Sequence, residues 1–121
     1  MKTFQYFIGL LFVFSSCINS SRTIDAGEND VFLKTKNRIL YYKNKPFSGE
    51  LIAFYDAEKK IKKLNCSYKN GKKNGIENIW YSNGNISTRR GYSNNTKVGI
   101  HKGWWGNGNK KFEFELNDFG E

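Results

Sequence analysis

The sequence predicts an all-β fold built from hairpin repeats, because several features recur with one period of 24 to 26 residues. Pairs of adjacent aromatic residues are spaced 26 and 24 residues apart, at Phe54-Tyr55, Trp80-Tyr81 and Trp104-Trp105. A glycine stands five residues before each pair, at Gly49, Gly75 and Gly99. Each period has room for two strands of about seven residues and two tight turns. We therefore expect about three repeats.

Asparagine-rich sequences mark the turns between the predicted strands. Asn83-Gly84 and Asn107-Gly108 follow the second and third aromatic pairs, where both residues tolerate the positive φ of a type I′ hairpin turn. Asn70-Gly71 marks a second turn in the period, and Asn94-Asn95 is a degraded version of it. The first repeat is two residues longer, which predicts a wider turn or a bulge around Asp56 to Lys60.

The strand pattern is cleanest near the C-terminal end. Apolar side chains alternate with charged ones, as expected for a half-exposed strand: Phe112, Phe114 and Leu116 against Lys111, Glu113 and Glu115. Since neighbouring strand residues point to opposite faces, each aromatic pair is expected to place one ring on each side of the sheet.

Composition sets the size and the charge of this domain. The 121 residues have room for one domain with a small core. Only 38% of the residues are hydrophobic while 17% are aromatic, so burial must depend mainly on rings. The net charge of +9, or +8 without residues 1–16, favours anionic partners and does not decide the fold.

The N-terminal residues resemble the signal of a bacterial lipoprotein. After Lys2 comes an apolar run of eight residues, Phe7 to Phe14, which is too short to span a bilayer as a helix. Ser15, Ser16 and Cys17 follow, and small residues directly before a cysteine are similar to the lipobox. The resemblance implies cleavage after residue 16 and acyl chains on Cys17. An ordinary secretory signal with an incidental cysteine and an uncleaved anchor are the alternatives.

Three segments are therefore predicted. Residues 1–16 are a lipoprotein signal peptide, residues 17–30 are a lipidated cysteine with a flexible tether, and residues 31–121 are the β-repeat domain. The tether is inferred from the polar, aperiodic composition of residues 18–30, and we expect the first strand to begin at Val31-Phe32-Leu33. The expected location is the cell envelope, on the periplasmic side of the outer membrane, because residues 18–22 lack the acidic cluster that marks surface export.

The repeated segment resembles the MORN-repeat variant. Its motif is a glycine, four residues, an aromatic pair, one residue and Asn-Gly, and it is complete in the second and third repeats. Leu40 to Gly49 is similar to the opening of the YwqK-type proteins built from that repeat. The resemblance covers about residues 38 to 116 and implies a single, elongated, twisted antiparallel sheet. Many bacterial members are labelled antitoxins of toxin–antitoxin systems.

The sequence predicts neither an enzyme nor a cofactor or metal site. His101 is the one histidine, and we expect it at an exposed strand position because a catalytic or zinc site needs partners that the sequence lacks. Gly106-Asn107-Gly108 is interpreted as a turn, since a strand and not a helix should follow it. If Cys17 carries lipid, Cys66 has no disulfide partner. We expect Cys66 to be a small buried hydrophobe, with a reactive thiol as the alternative.

The leading functional interpretation is a non-catalytic binding or scaffold module. Aromatic residues concentrate at interaction hot spots, and the candidate partner-binding residues are the three aromatic pairs with two lysines: Phe54, Tyr55, Trp80, Tyr81, Trp104, Trp105, Lys62 and Lys63.

Several partners are considered for this module. Besides the membrane reached through the lipid, we expect a protein or an anionic envelope surface as partner. We do not expect nucleic acid, because an exported, lipid-tethered protein rarely meets it. An antitoxin or immunity protein acting on a co-encoded toxin is the alternative function, from resemblance alone. Pairing of exposed edge strands would produce a dimer.

Overall fold

The structure is a computed structural model that describes residues 22–121, and these residues form two β-sheets with a 3-10 helix at Asp30–Phe32. The strands are β1 (Thr23–Asp25), β2 (Leu33–Lys36), β3 (Ile39–Tyr42), β4 (Lys45–Pro46), β5 (Gly49–Phe54), β6 (Lys62–Lys69), β7 (Lys72–Trp80), β8 (Ile86–Ser93), β9 (Thr96–Trp104) and β10 (Lys110–Leu116). The all-β prediction is confirmed. The predicted signal peptide and Cys17 lie outside the described residues.

The large sheet has seven strands in the order β1-β5-β6-β7-β8-β9-β10. From β5 to β10 each strand pairs antiparallel with the next along the chain, as expected for hairpin repeats. The prediction of a single antiparallel sheet is wrong in two respects. β1 pairs in parallel with β5, and strands β2, β3 and β4 form a separate small sheet.

β1 begins at Thr23, inside the segment 17–30 that was predicted as a tether. The Ile24 side chain is 4% exposed and belongs to the core. The backbone on the N-terminal side of Ile24 also pairs with the edge of the large sheet, since the Glu50 amide donates to the Arg22 carbonyl at 2.8 Å. A strand of three residues is too short to show a period, so the sequence pattern could not reveal it.

The small sheet closes the core at one end of the large sheet. A backbone hydrogen bond joins β3 of the small sheet to the β6–β7 turn of the large sheet: the Leu40 amide donates to the Gly71 carbonyl at 2.8 Å. The core side chains come from both sheets and from the link between β4 and β5: Ile24, Leu40, Tyr42, Phe47 and Leu51. Rings supply much of the packing, with the Phe47 centroid 6.3 Å from Tyr42 and 6.0 Å from Tyr68. Three of the five core residues are aliphatic and two are aromatic, so rings share the burial with Ile and Leu and do not dominate it as expected.

The turns follow two different geometries. Asn70-Gly71 and Asn94-Asn95 both have two consecutive residues at positive φ, as a type I′ turn requires, so the Asn94-Asn95 turn is intact and not degraded. Asn83-Gly84 is different, because only Gly84 has positive φ, and the Tyr81 amide donates to the Asn85 carbonyl. That pattern is a three-residue loop with glycine in the left-handed position, which corrects the type I′ prediction.

Candidate binding surface at the aromatic end of the sheet

All three aromatic pairs lie at one end of the large sheet. The β5–β6, β7–β8 and β9–β10 hairpins turn there, and the first residue of each pair is the last residue of its strand: Phe54, Trp80 and Trp104. The second residue of each pair begins the turn. We call this region the aromatic end, defined by the six residues of the three pairs. The turns β6–β7 and β8–β9 lie at the opposite, asparagine end.

Hydrogen bonds join each aromatic pair to the next. Tyr55 Oη donates to the Trp80 carbonyl at 2.8 Å, and Tyr81 Oη donates to the Trp104 carbonyl at 2.8 Å. Trp105 occupies the third equivalent position. Tyr55 and Tyr81 lie beyond the last residue of their strands, and their side chains reach sideways to the next hairpin. The expected placement of one ring on each face of the sheet therefore does not apply to these two tyrosines.

The last two turns at the aromatic end are also joined by side chains. The amide groups of Asn83 and Asn85 both donate to the Gly106 carbonyl, at 2.8 and 2.9 Å. Within each turn, the asparagine accepts a hydrogen bond from the backbone two residues later, as in Asn83 with Asn85. The surface is therefore held by polar contacts to backbone carbonyls, which limits how far one hairpin can move relative to the next.

Lysine ammonium groups lie over the rings at this end. The distances from Nζ to the ring centroid are 5.7 Å for Lys62 over Trp80, 5.5 Å for Lys63 over Tyr55 and 4.2 Å for Lys111 over Trp105. These are cation–π distances. Lys62 and Lys63 are predicted site residues, whereas the sequence placed Lys111 only on the charged face of the last strand. The β9–β10 turn brings Lys111 close to Trp105.

The aromatic end is partly exposed and positively charged. Tyr55 and Trp105 keep 45% and 51% of their surface accessible. Within residues 22–121, Lys62, Lys63 and Lys111 form no ion pair with a carboxylate. Large rings beside unpaired cations can contact an apolar group and a carboxylate of the same ligand.

A shallow groove of about 720 Å³ continues from the aromatic end onto the face opposite the core. Its apolar lining includes Ile76, Ile100 and Trp104, of which Ile76 and Ile100 are 38% and 54% exposed. Arg89 and Lys102 add positive charge to the same groove. The groove therefore has the same chemical character as the aromatic end.

Cys66 is a buried side chain on the core face of β6. Its surface is 1% exposed, which confirms the expectation of a small buried hydrophobe. Burial raises the pKa of the thiol to about 12, and the nearby Glu77 carboxylate acts in the same direction. A thiol in this state is a poor nucleophile.

The prediction of an exposed His101 is wrong, because its side chain is fully buried. The ring stacks on Phe114 with centroids 5.3 Å apart, and Tyr92 lies 6.4 Å away. Nε2 lies 3.1 Å from the Val98 carbonyl oxygen. Phe114 is placed directly opposite His101 by the β9–β10 register, so the burial depends on a pairing that the local sequence does not specify.

The fold and this surface define an all-β protein of repeated hairpins whose aromatic pairs meet at one end. Among residues 22–121, no group of three or more His, Cys, Asp or Glu side chains is arranged to hold a metal ion. No helix in that range is long and apolar enough to cross a membrane. No protein-family model matches the chain, and no curated protein or solved structure matches it.

Proposed function

We propose that the protein is a non-catalytic, lipid-anchored binding module of the bacterial cell envelope whose aromatic end binds an acidic segment of a partner protein. The main observation behind the proposal is that Trp105 is half exposed and that the Lys111 ammonium lies 4.2 Å from its ring centroid. The ring offers apolar contact area, and the ammonium offers a charge for a carboxylate. Tryptophan and tyrosine are enriched among residues that dominate binding energy.

Charge at the aromatic end supports an acidic partner. Lys59 forms ion pairs with Asp25 and Glu28, so its charge is already balanced. Lys62 and Lys111 have no such partner among the described residues and lie over rings instead. A carboxylate from another protein would therefore meet cations that are available. Complementary charge of this kind raises the association rate and selects the partner.

Retention of a partner from an envelope extract tests the proposal. The full-length protein is immobilised, and the wild type is compared with a variant that carries Trp105→Ala and Lys111→Ala. We expect the wild type to retain a discrete partner, and the double variant to lose it by at least tenfold, because hot-spot truncations cost about 2 kcal/mol or more.

Phe119→Ala is the matched control for this experiment. Phe119 is 82% exposed but lies after β10, away from the aromatic end, so its removal should leave retention unchanged. Equal retention of the partner by the wild type and the double variant would contradict the proposal. A retained partner that is a toxin encoded beside this chain would specify the antitoxin role that the MORN-like resemblance implies.

A further inference from the structure

The small sheet carries positive charge that no carboxylate balances. Residues 33–46 contain five basic residues and no Asp or Glu: Lys34, Lys36, Arg38, Lys43 and Lys45. All five are exposed, and within residues 22–121 none of them forms an ion pair. This short segment therefore holds a large part of the net positive charge, and such a patch attracts an anionic surface.

Exposed apolar side chains lie next to these cations. Val31 and Phe32, at the 3-10 helix that leads into β2, are 72% and 45% exposed. The Lys43 ammonium lies 5.0 Å from the centroid of the Phe32 ring. Asp30 is the acidic neighbour in this helix. Segments that bind at a bilayer interface use this combination, since the apolar groups enter the acyl boundary while lysines reach the headgroup phosphates.

The chain enters the domain beside the small sheet. The Arg22 guanidinium lies 4.6 Å from the centroid of the Tyr42 ring, at the end of β3. Arg22 is also next to the start of β5, because its carbonyl accepts the hydrogen bond from Glu50. Arg22 is the fifth residue after Cys17, so the two are at most about 18 Å apart along the chain. An anchor at or before residue 17 would keep the small sheet close to the bilayer.

The aromatic end lies at the opposite end of the strands from β3, whose Leu40 amide contacts Gly71 in the β6–β7 turn. The 3-10 helix lies nearer to the aromatic end, because Glu28, two residues before it, pairs with Lys59 in the β5–β6 turn. β6, with eight residues, runs between the two ends and spans about 26 Å. If the small sheet contacts the bilayer, the aromatic pairs are held away from the membrane and open to a partner.

We propose that the small sheet and the Val31-Phe32 tip dock on an anionic phospholipid surface, and that the small sheet thereby holds the tryptophans of the aromatic end away from the membrane. This inference rests on the proposed membrane anchoring, but it uses a surface separate from the proposed partner site. Headgroup phosphates contact the lysines and Arg38, while Phe32 enters the interface. Each basic residue near such a surface strengthens binding about fivefold.

Tryptophan fluorescence distinguishes the two ends of the domain. The three native tryptophans, Trp80, Trp104 and Trp105, all lie at the aromatic end. Phe32→Trp adds a reporter at the proposed membrane contact. The full-length protein is anchored in phosphatidylcholine vesicles with and without phosphatidylglycerol, and brominated acyl chains serve as the quencher. We expect quenching of the added tryptophan only in the anionic vesicles, with the native tryptophans unquenched.

Neutralising lysines at either end provides a matched comparison. In the Phe32→Trp protein, Lys34→Gln, Lys36→Gln and Lys43→Gln together should lower the ratio of docked to undocked protein about a hundredfold, at about fivefold for each lysine. Lys62→Gln, Lys63→Gln and Lys111→Gln remove the same charge from the aromatic end and should leave the quenching intact. Raising the salt concentration should reverse the quenching without any change of sequence.

Two results would overturn the inference: quenching of the native tryptophans in anionic vesicles, or an added tryptophan that phosphatidylglycerol and salt do not affect. The salt titration keeps the test decisive if the triple variant does not fold. Partner retention is measured without vesicles, so a failure of lipid docking is distinguishable from a failure of the proposed function.

Discussion

Tyr81 donates a 2.8 Å hydrogen bond from Oη to the Trp104 carbonyl, and this bond joins two consecutive repeats. Tyr55 makes the same contact with Trp80 one repeat earlier. The ring of each repeat is therefore held against the backbone of the next. The aromatic end owes its arrangement to these tyrosine hydroxyls as well as to the hairpin turns.

Replacing Tyr81 by Phe should reveal the contribution of this bond. Tyr81→Phe keeps the ring and removes the hydroxyl, and we expect the free energy of unfolding to fall by about 1 kcal/mol, the usual net value of a hydrogen bond. Urea denaturation followed by tryptophan fluorescence measures it. Tyr41→Phe is the control, because the Tyr41 hydroxyl forms no hydrogen bond within residues 22–121. An equal loss in both variants would contradict the role of the bond.

Gly103 should tolerate no side chain. A Cβ built at this position would lie 2.2 Å from a ring carbon of Phe112, its partner across β9 and β10. We expect Gly103→Ala to lower the free energy of unfolding by about 1–3 kcal/mol, as overpacking does. Gly106→Ala is the control, since no heavy atom lies within 4 Å of the added carbon. Thermal unfolding of both variants compares them, and similar stability would count against the close packing of Phe112 on Gly103.

Stability should depend on pH through Cys66. The folded pKa of its thiol is raised from 9.0 to about 12, chiefly by burial. The folded chain therefore holds a proton that the unfolded chain releases between these values. The stabilisation is complete below pH 9 and is lost as the pH rises toward 12, at up to about 1.4 kcal/mol per pH unit.

Comparison with Cys66→Ala isolates this effect. The difference in unfolding free energy between the wild type and the variant should shift by about 1 kcal/mol against the wild type from about pH 9 to about pH 10. Urea denaturation at each pH measures the difference, and other titrating groups contribute similarly to both proteins. A difference that stays constant over this range would show that Cys66 does not titrate as expected.

Asn95 should hold the small sheet to the large one. Its side-chain amide donates to the Arg38 carbonyl at 2.8 Å, and its Oδ1 accepts from the Lys73 amide at 2.8 Å. Asn95→Gly keeps the positive φ of 68° without strain but loses both bonds. We expect a loss of about 1–2 kcal/mol and faster hydrogen exchange in β2 and β3.

Asn44→Gly is the matched control for Asn95→Gly. Asn44 has a φ of 66° in a turn of the same type, and its side chain forms no hydrogen bond among the described residues. Its replacement should leave exchange in β2 and β3 close to that of the wild type. Faster exchange in both variants would indicate that loss of the turn asparagine, and not the contact with Arg38, is responsible.

The aromatic end could largely be predicted from the sequence, because hairpins of nearly equal length bring every second turn to the same end of a sheet. Trp80 and Trp104 share one position in successive repeats, and each ends a strand. Lys111 was missed as a site residue because its contact with Trp105 crosses the β9–β10 turn. Burial of His101 was missed for a related reason, since Phe114 covers it only in one particular register.

The sequence by itself determined the all-β class, the hairpin period and the aromatic and basic character of the surface. These are local properties, because strand alternation and turn residues act over a few neighbouring positions. Only the tertiary structure decided that β1 joins the sheet in parallel, that the basic strands form a separate sheet, and that His101 is buried. Each of these depends on pairing between distant segments, as when Ile24 lies beside Leu51. Burial of side chains on the assembled core face stabilises that pairing, but it leaves no periodic signal in the sequence of either segment.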